Sequence, residues 1–196
     1  MTTAGPEDEA IYRGRVLTGH SLAGRHLASV SFEGCVFRDM DLSTTDWQRV
    51  RLADVRFEGC TLNGAVWSEA SLERVELSDC RLLGLQLPAA RLRDVRLSRV
   101  QAQLSLWFRA DTRGFWAEDC DFAEAVWMEA SLPGAVFRDC RLPKTDFSGA
   151  TLNGADFRGS ALAGTRLGLR ELAGVTVEAT QLSDLAHLLG VTVSEL

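Results

Sequence analysis

Large apolar side chains recur along this chain at every fifth position. Counting from Tyr12, the series runs Leu17, Leu22, Leu27, Phe32, Phe37, Leu42, Trp47, Leu52, Phe57, Leu62, Trp67 and onward to Leu182. Of its 35 members 32 are large and apolar, and the exceptions are Ala102, Thr112 and Ala117. A helix repeats its faces about every 3.6 residues and a flat strand every two, so neither element alone yields this period. The position two residues before each large one is mostly small or thiol-bearing, as in Cys60, Ala65, Ala70, Cys80, Ala130, Ala150 and Ala155. The position two residues after it takes 14 of the 17 glycines, which suits a corner with positive φ. The residue between small and large is often Asp, Thr or Arg and is expected to face water. Each unit therefore predicts an inward, an outward and an inward side chain, then a two-residue corner.

The clearest units are Thr145-Asp-Phe-Ser-Gly149, Ala150-Thr-Leu-Asn-Gly154 and Ala155-Asp-Phe-Arg-Gly159. They match the A-(D/N)-L-x-x unit of the pentapeptide-repeat family, which the chain resembles from residue 12 to about 182. The resemblance implies an all-β fold, a right-handed quadrilateral β-helix with four pentapeptides per coil. The sequence supports a 20-residue coil independently. Trp47, Trp67, Trp107 and Trp127 are separated by multiples of 20, which places them on one of four faces, and Cys60, Cys80, Cys120 and Cys140 share another. The 35 units then make a rod about 42 Å long at about 4.8 Å per coil. Each coil touches only its neighbours, so both ends are open edges that need caps.

Residues 1–11 read as an acidic N-terminal tail, 12–179 as the solenoid, and 180–196 as a segment for capping and dimerisation. In that last segment Leu182, Leu185, Ala186 and Leu189 fall on one helical face. Thr180 suits the N-cap, Gly190 suits the stop, and Val191 to Val193 reads as a short strand. The stretch from Leu172 to Val193 resembles the ends of quinolone-resistance pentapeptide proteins, which dimerise through it. That resemblance implies a homodimer with Leu182, Leu185, Ala186, Leu189, Val191 and Val193 at the interface, and a joint rod of roughly 80–90 Å. A plain end cap on a monomer is the alternative.

Ala102, Thr112 and Ala117 weaken the inward column where Trp107, Phe108, Phe115 and Trp116 crowd together. Either a short loop carries recognition there, or one of Phe108, Phe115 and Trp116 replaces the missing core volume. The period resumes at Phe122, which favours repacking. All five cysteines share the small inward phase and are expected to be free, buried thiols. Stacked, parallel Cα–Cβ vectors suit disulfide geometry poorly, and unpaired thiols point to the cytoplasm.

Composition narrows the function. A net charge of -6 and a pI near 5.1 argue against a dedicated nucleic-acid binder. No apolar run approaches the roughly 18 residues needed to cross a bilayer, and the start lacks a basic region followed by an apolar stretch. Neither membrane association nor export is expected. His20, His26 and His187 form no evident dyad, and P-loop, dinucleotide, nucleophile-elbow, EF-hand and zinc spacings are missing. No catalytic residue, cofactor or metal is therefore expected, and function falls to the outside of the rod. The resemblance to topoisomerase-protecting members implies a DNA-mimicking protein that occupies the DNA-binding saddle of DNA gyrase or topoisomerase IV. It would shield the enzyme from fluoroquinolones or from a natural-product poison. A rigid scaffold with no topoisomerase contact is the rival.

Charge tempers the DNA analogy. A duplex of about 42 Å carries roughly 25 charges, far more than this chain's net -6. The axial distribution says more: residues 69–79 carry a net -3, residues 81–99 a net +4 and residues 111–129 a net -5. Asp39, Asp79, Asp119 and Asp139 share one corner. The candidate topoisomerase contacts are that column with Asp111, Glu118, Asp121, Glu124 and Glu129. The competing reading is a solvated surface laced with cross-coil Arg–Asp pairs.

Overall fold

The computed structural model describes residues 6–189 and 191. The chain forms a parallel β-solenoid with one short helix at its C-terminal end. Residues 20 apart lie side by side: Leu52 pairs with Leu72, Leu72 with Leu92, and Leu92 with Thr112. Four columns of outward residues define four faces. The first runs from Ile11 through Arg51 and Arg91 to Thr151. The second runs from Val16 through Arg56, Arg96 and Trp116 to Thr176. The third runs from Ser21 through Asp121 to Ala161, and the fourth from His26 through Leu106 to Arg166. The nine members of the second column span about 38 Å at about 4.8 Å per rung.

The period of five has a local cause. Three residues of strand place inward, outward and inward side chains, and the chain must then turn onto the next face within two residues. The second corner residue makes that turn in the left-handed region. Nineteen non-glycine residues adopt positive φ there alongside 14 glycines, with angles between 50° and 79°. Glycine was the expected occupant, yet the corner is set by geometry that other residues are forced to accept. Each non-glycine costs about 1–2 kcal/mol. An axial hydrogen bond offsets part of this: Asp39 N–H donates to Glu58 O at 2.9 Å, and Arg99 N–H to Glu118 O at 3.0 Å. Six of the nineteen are Asp, a residue whose short polar side chain tolerates this conformation.

One apolar cluster fills the interior from Leu22 to Leu162, joined by Leu185. The tryptophans stack in pairs inside the fourth face. Trp47 and Trp67 have centroids 4.8 Å apart at 4°, and Trp107 and Trp127 are 4.5 Å apart at 6°. All five cysteines are free and buried. Cys60 and Cys80 donate to Phe37 O and Phe57 O of the preceding coil, at 3.4 and 3.5 Å. The neighbouring Cys60 thiol and burial together push the Cys80 thiol well above its usual range.

No loop interrupts residues 101–117. Gln101 bridges Arg81 and Asp121, and Ala117 lies in register between Leu97 and Phe137. Phe115 supplies the volume from a position that is elsewhere small. It is 1% exposed, with its ring 5.3 Å from Trp127 and 5.5 Å from Phe137. Trp116 points outward at 39% exposure, and Phe108 also faces out, beneath the Arg109 guanidinium at 4.7 Å.

Both ends differ in detail from expectation. The ladder begins before residue 12, because Glu9 N–H donates to Ala28 O, Asp8 Oδ1 accepts from Ala28 N–H, and Ser31 N–H donates to Ala10 O. At the other end the expected N-cap, Thr180, lies inside a 3-10 turn, Ala179–Gln181, whose N-cap is Glu178. An α-turn at Leu182–Leu185 and a second 3-10 turn at Ala186–Leu189 follow. The inward residue is Gln181, whose Nε2 donates to Phe157 O and Ser160 O at 2.7 and 2.6 Å. Leu185, four residues later, is buried on the same side, whereas Leu182 is turned out and 58% exposed. The helical apolar face expected to include Leu182 thus starts from Gln181 instead, because the last coil has carbonyls to satisfy. Val191 forms no strand: its N–H returns to Ala186 O at 3.2 Å. Gly190 and Val193 lie outside the described residues, as does the side chain of Leu189.

Candidate interaction surface

The interior is packed, so chemistry can only be met on the outside. Two surface depressions are shallow, one over Cys35 between Arg56 and Arg74, the other between Asn153 and Arg170. Among the described residues no group of three His, Cys, Asp or Glu side chains could hold a metal ion. No helix among them is long and apolar enough to cross a membrane.

The acidic column lies where its spacing placed it, on the corner between the second and third faces. Its charge is broken by Arg99. That guanidinium grips Asp79 with two bonds of 2.8 Å, Nε to Oδ1 and Nη2 to Oδ2. The pairing holds the Asp79 carboxyl below the usual carboxylate range. Asp39 and Asp139 instead lie over glycines of the next coil: a Cβ on Gly59 would meet Asp39 Oδ1 at 2.5 Å, and one on Gly159 would collide with Asp139 Oδ1. Aspartates at this corner thus serve the left-handed turn as much as any partner.

The 111–129 band is not a patch. Asp111 lies on the first face, Glu118 on the second and Asp121 on the third. Asp119, Glu124 and Glu129 occupy three different corners. Arg109 Nε holds Glu129 at 2.7 Å. Asp121 receives Gln103 Nε2 at 3.0 Å and lies 3.6 Å from Arg141 Nη1. What the fold gathers is Glu118, Asp119, Asp121 and, one rung on, Asp139, around the second corner. The bands at 69–79 and 81–99 lie on successive rungs, so Glu73 faces Arg93 and Glu76 faces Arg96.

The inward–outward pattern assigned outward positions to water and so passed over exposed apolar residues. Leu83, Leu104 and Met128 are 46%, 57% and 36% exposed. The signal was present as apolar residues in outward phases, in Leu82-Leu83, Leu104 to Phe108 and Val126 to Met128.

The family model for pentapeptide repeats matches eight copies, over residues 51–84 and 130–168. No curated protein sequence matches the chain. Among solved structures, trypsin-treated QnrB1, a plasmid-mediated fluoroquinolone resistance protein, is 18% identical with a TM-score of 0.50, over 97% of this chain and 100% of its own. HetL, involved in heterocyst differentiation regulation in the cyanobacterium Nostoc sp. strain PCC 7120, is 22% identical with a TM-score of 0.49, over 87% and 84%. A pentapeptide repeat protein from the thylakoid lumen of Arabidopsis thaliana is 17% identical with a TM-score of 0.37, over 87% and 90%. At these identities the likeness concerns the fold. Between the two matched stretches the register runs on unbroken, from Thr61 through Gln101 to Arg141, so the stretches similar to pentapeptide repeats belong to one continuous ladder.

Proposed function

We propose that this rod is a non-enzymatic, DNA-mimicking binding protein that occupies the DNA-binding surface of a type II topoisomerase, DNA gyrase or topoisomerase IV. By doing so it protects the enzyme from fluoroquinolones or a natural-product poison. The build of the molecule carries this reading: a filled interior and an unbroken outer ladder leave only an elongated exterior to meet a partner. QnrB1, of the same fold at 18% identity, is a fluoroquinolone resistance protein. Glu118, Asp119, Asp121 and Asp139 would meet cationic groups that otherwise grip DNA phosphates. A homodimer through the C-terminal segment would lengthen the rod, and the exposure of Leu182 and Val191, at 58% and 53%, supports that contact. Ala186, Leu189 and Val193 belong to the same proposed interface, whereas Leu185, expected there too, is 7% exposed and packs on the last coil. The protein would act in the cytoplasm and bind no nucleic acid directly.

The test is supercoiling by purified DNA gyrase, with and without ciprofloxacin. The expected result is inhibition of supercoiling by the protein alone and fewer drug-stabilised DNA breaks in its presence. A protein that does neither is not a topoisomerase protector. A second reading, a rigid scaffold, is favoured by the cross-rung neutralisation of Glu76 by Arg96 and of Asp79 by Arg99. It predicts no effect in either assay.

A further inference from the structure

The two ends of the ladder are finished differently. At the C-terminal end Gln181 and Leu185 lie over the last coil. At the N-terminal end residues 6–9 cross only the fourth face, where Glu9 N–H donates to Ala28 O at 2.9 Å and Asp8 Oδ1 accepts from Ala28 N–H at 2.8 Å. The strands Ile11–Arg13 and Val16–Thr18, on the first and second faces, are paired on one side only, with Ser31–Glu33 and Val36–Arg38. Ile11 and Val16 are 55% and 61% exposed.

The ladder's own bonds show what this edge holds out. Asp41 N–H donates to His20 O at 3.2 Å and Asp41 O accepts from Leu22 N–H at 2.7 Å, so both groups of a face's middle residue point to the preceding coil. Two residues further along a face they do so again: Ser43 O accepts from Gly24 N–H at 2.9 Å, and Ala28 N–H points back to Asp8. By the same register the N–H and C=O groups of Ile11, Arg13, Val16 and Thr18 point away from the coil, with no preceding rung to meet them among the described residues. Such an edge is a template for another strand, and neither strand carries a proline to blunt it.

Geometry and charge select the occupant. Head-to-tail continuation is closed, because the far end of a second copy is covered by its own Gln181 and Leu185. Two N-terminal ends can meet about a two-fold axis, and the edge is self-complementary about Tyr12. With the two Tyr12 residues opposite, Ile11 faces Arg13 of the second copy and Val16 faces its Asp8. These are residues whose N–H and C=O groups point off the end, so each pair can exchange both bonds of an antiparallel ladder. The same register sets Glu9 opposite Arg15. Charges near this end are Glu7, Asp8 and Glu9 on one side of Tyr12, and Arg13, Arg15 and Arg25 on the other, with His20 among them. Arg13 Nε is held by Glu33 at 2.7 Å, Arg25 Nη2 donates to Pro6 O at 3.2 Å, and His20 Nδ1 meets Thr18 O. Glu9 and Arg15 take part in no ion pair among the described residues, and no opposite charge lies one rung behind either, where Ser29 and Cys35 stand. Arg15 also breaks the pattern: it is exposed in the small inward phase, which among the described residues otherwise carries Arg or Lys, Asp or Glu only at Arg25 and Arg170. Matching backbone and matching charge together point to a second copy.

We infer that two copies of this chain pair by their N-terminal ends, through an antiparallel ladder centred on Tyr12 with Glu9 of each against Arg15 of the other. The inference goes beyond the proposed function and does not use the C-terminal contact described there. Where both contacts form, the rods join into an open chain, because two-fold interfaces at opposite ends of one molecule do not close.

The test is sedimentation velocity over a concentration series, on the full chain carrying Leu182→Asp and Val191→Asp so that the C-terminal contact is disabled. A monomer–dimer equilibrium is expected to remain. Ile11→Pro, which removes an N–H that the single rod does not use, should weaken the dimer at least about tenfold. Glu9→Arg and Arg15→Glu should each weaken it about threefold or more, because each sets like charges opposite one another. Made together they exchange the partners and should bring the dimer back to within about twofold of its starting strength. Arg is tolerated at that corner, since Arg49 holds the same left-handed position two rungs on, with φ 54° against 58° for Glu9. Circular dichroism checks that each variant is folded, and the charge exchange keeps the test decisive if Ile11→Pro does not fold. A chain that stays monomeric with its C-terminal contact disabled overturns the inference. So does a dimer indifferent to Ile11→Pro, or single charge changes that the exchange fails to repair. Removal of residues 1–5 that converts a monomer into a dimer overturns it too, and gives the edge in the intact chain to its own first residues.

Discussion

Phe115→Ala and Ala117→Phe, made singly and together, test how the central coil fills its interior. The coil from Gln101 to Cys120 has only Trp107 in the large inward phase, with Ala102, Thr112 and Ala117 at the other three sites. Phe115 makes up the volume, 1% exposed and with Trp107, Trp127 and Phe137 at centroid distances of 6.1, 5.3 and 5.5 Å. Truncating a buried Phe to Ala costs about 3–5 kcal/mol, a fall in Tm of roughly 6–20 °C for a chain of this size. Ala117 is 0% exposed between Leu97 and Phe137, so Ala117→Phe alone overpacks the coil at a cost of about 1–3 kcal/mol. Combined, the two changes restore the regular pattern, in which inward rings stack as Phe37 does on Phe57, 4.7 Å apart at 15°. The double variant should then lie within about 2 kcal/mol of wild type, where simple addition gives roughly 4–8. Guanidinium unfolding followed by circular dichroism measures this, provided the m-value is unchanged. Single losses that add to within about 0.5 kcal/mol would refute the volume exchange.

The buried Trp127 Nε1 has no hydrogen-bond partner, whereas Trp107 Nε1 donates to Ser105 Oγ two residues before it at 2.7 Å. Ala125→Ser places the same acceptor before Trp127 and should stabilise by about 1 kcal/mol, read as a higher Tm. Gln181→Ala strips Phe157 O and Ser160 O of their Nε2 donor and should cost about 1–3 kcal/mol. Hydrogen exchange should locate that loss in the last coils and leave the amides near Leu72 protected. Asp156 accepts from Arg158 Nη2 at 2.7 Å and Arg138 Nη2 at 2.8 Å, and Arg158 above all holds its carboxyl well below the usual range. A depressed native pKa stabilises above the unfolded value and is lost as pH falls through the native one. Tm should therefore fall as pH drops below about 4, and Asp156→Asn, costing about 2 kcal/mol at neutral pH, should cost progressively less in acid. Asp139→Asn keeps a residue suited to the left-handed corner and removes a like charge one rung from Asp119. Tm should rise by about 1–2 °C while gyrase inhibition weakens; a lower Tm would show the carboxylate to be structural.

The inward half of this structure was readable because one rule serves every rung. Trp47 and Trp67 could be stacked from their spacing alone, and so could the buried cysteines. The rule stops being informative where contacts between rungs decide. Phe115, Trp116 and Ala117 are consecutive, and the rule turns Phe115 and Ala117 in and Trp116 out, but it does not record that a large ring in the small inward phase fills the coil that Ala102, Thr112 and Ala117 leave short. Gln181 was passed over because its role is to satisfy two carbonyls left open by the end of the ladder, which no apolar pattern records. The same demand rotates Leu182 outward, since the helix presents Gln181 and Leu185 to the last coil. Corners showed a milder version of the problem. Glycine marks a left-handed position clearly, but Arg49, Leu104 and Glu124 hold the same conformation only because the coil requires it.

Charge was the least legible property, for a geometric reason. Twenty consecutive residues go once around the rod, so a run such as 111–129 sends its carboxylates to every side and no partner meets their sum. Residues 20 apart are the true neighbours, and there the signs tend to alternate: Asp54 with Arg74, Glu76 with Arg96, Asp79 with Arg99, Arg109 with Glu129. Opposite signs in register help hold the ladder together by a few tenths to about 1 kcal/mol each, which makes them poor evidence of a binding site. The informative places are those where the alternation fails. Asp119 and Asp139 are like charges on successive rungs of one corner, and Leu106, Phe108, Val126 and Met128 are apolar where the ladder asks for nothing apolar. These two departures flank the third face, the aspartates on one of its corners and the apolar residues beyond the other.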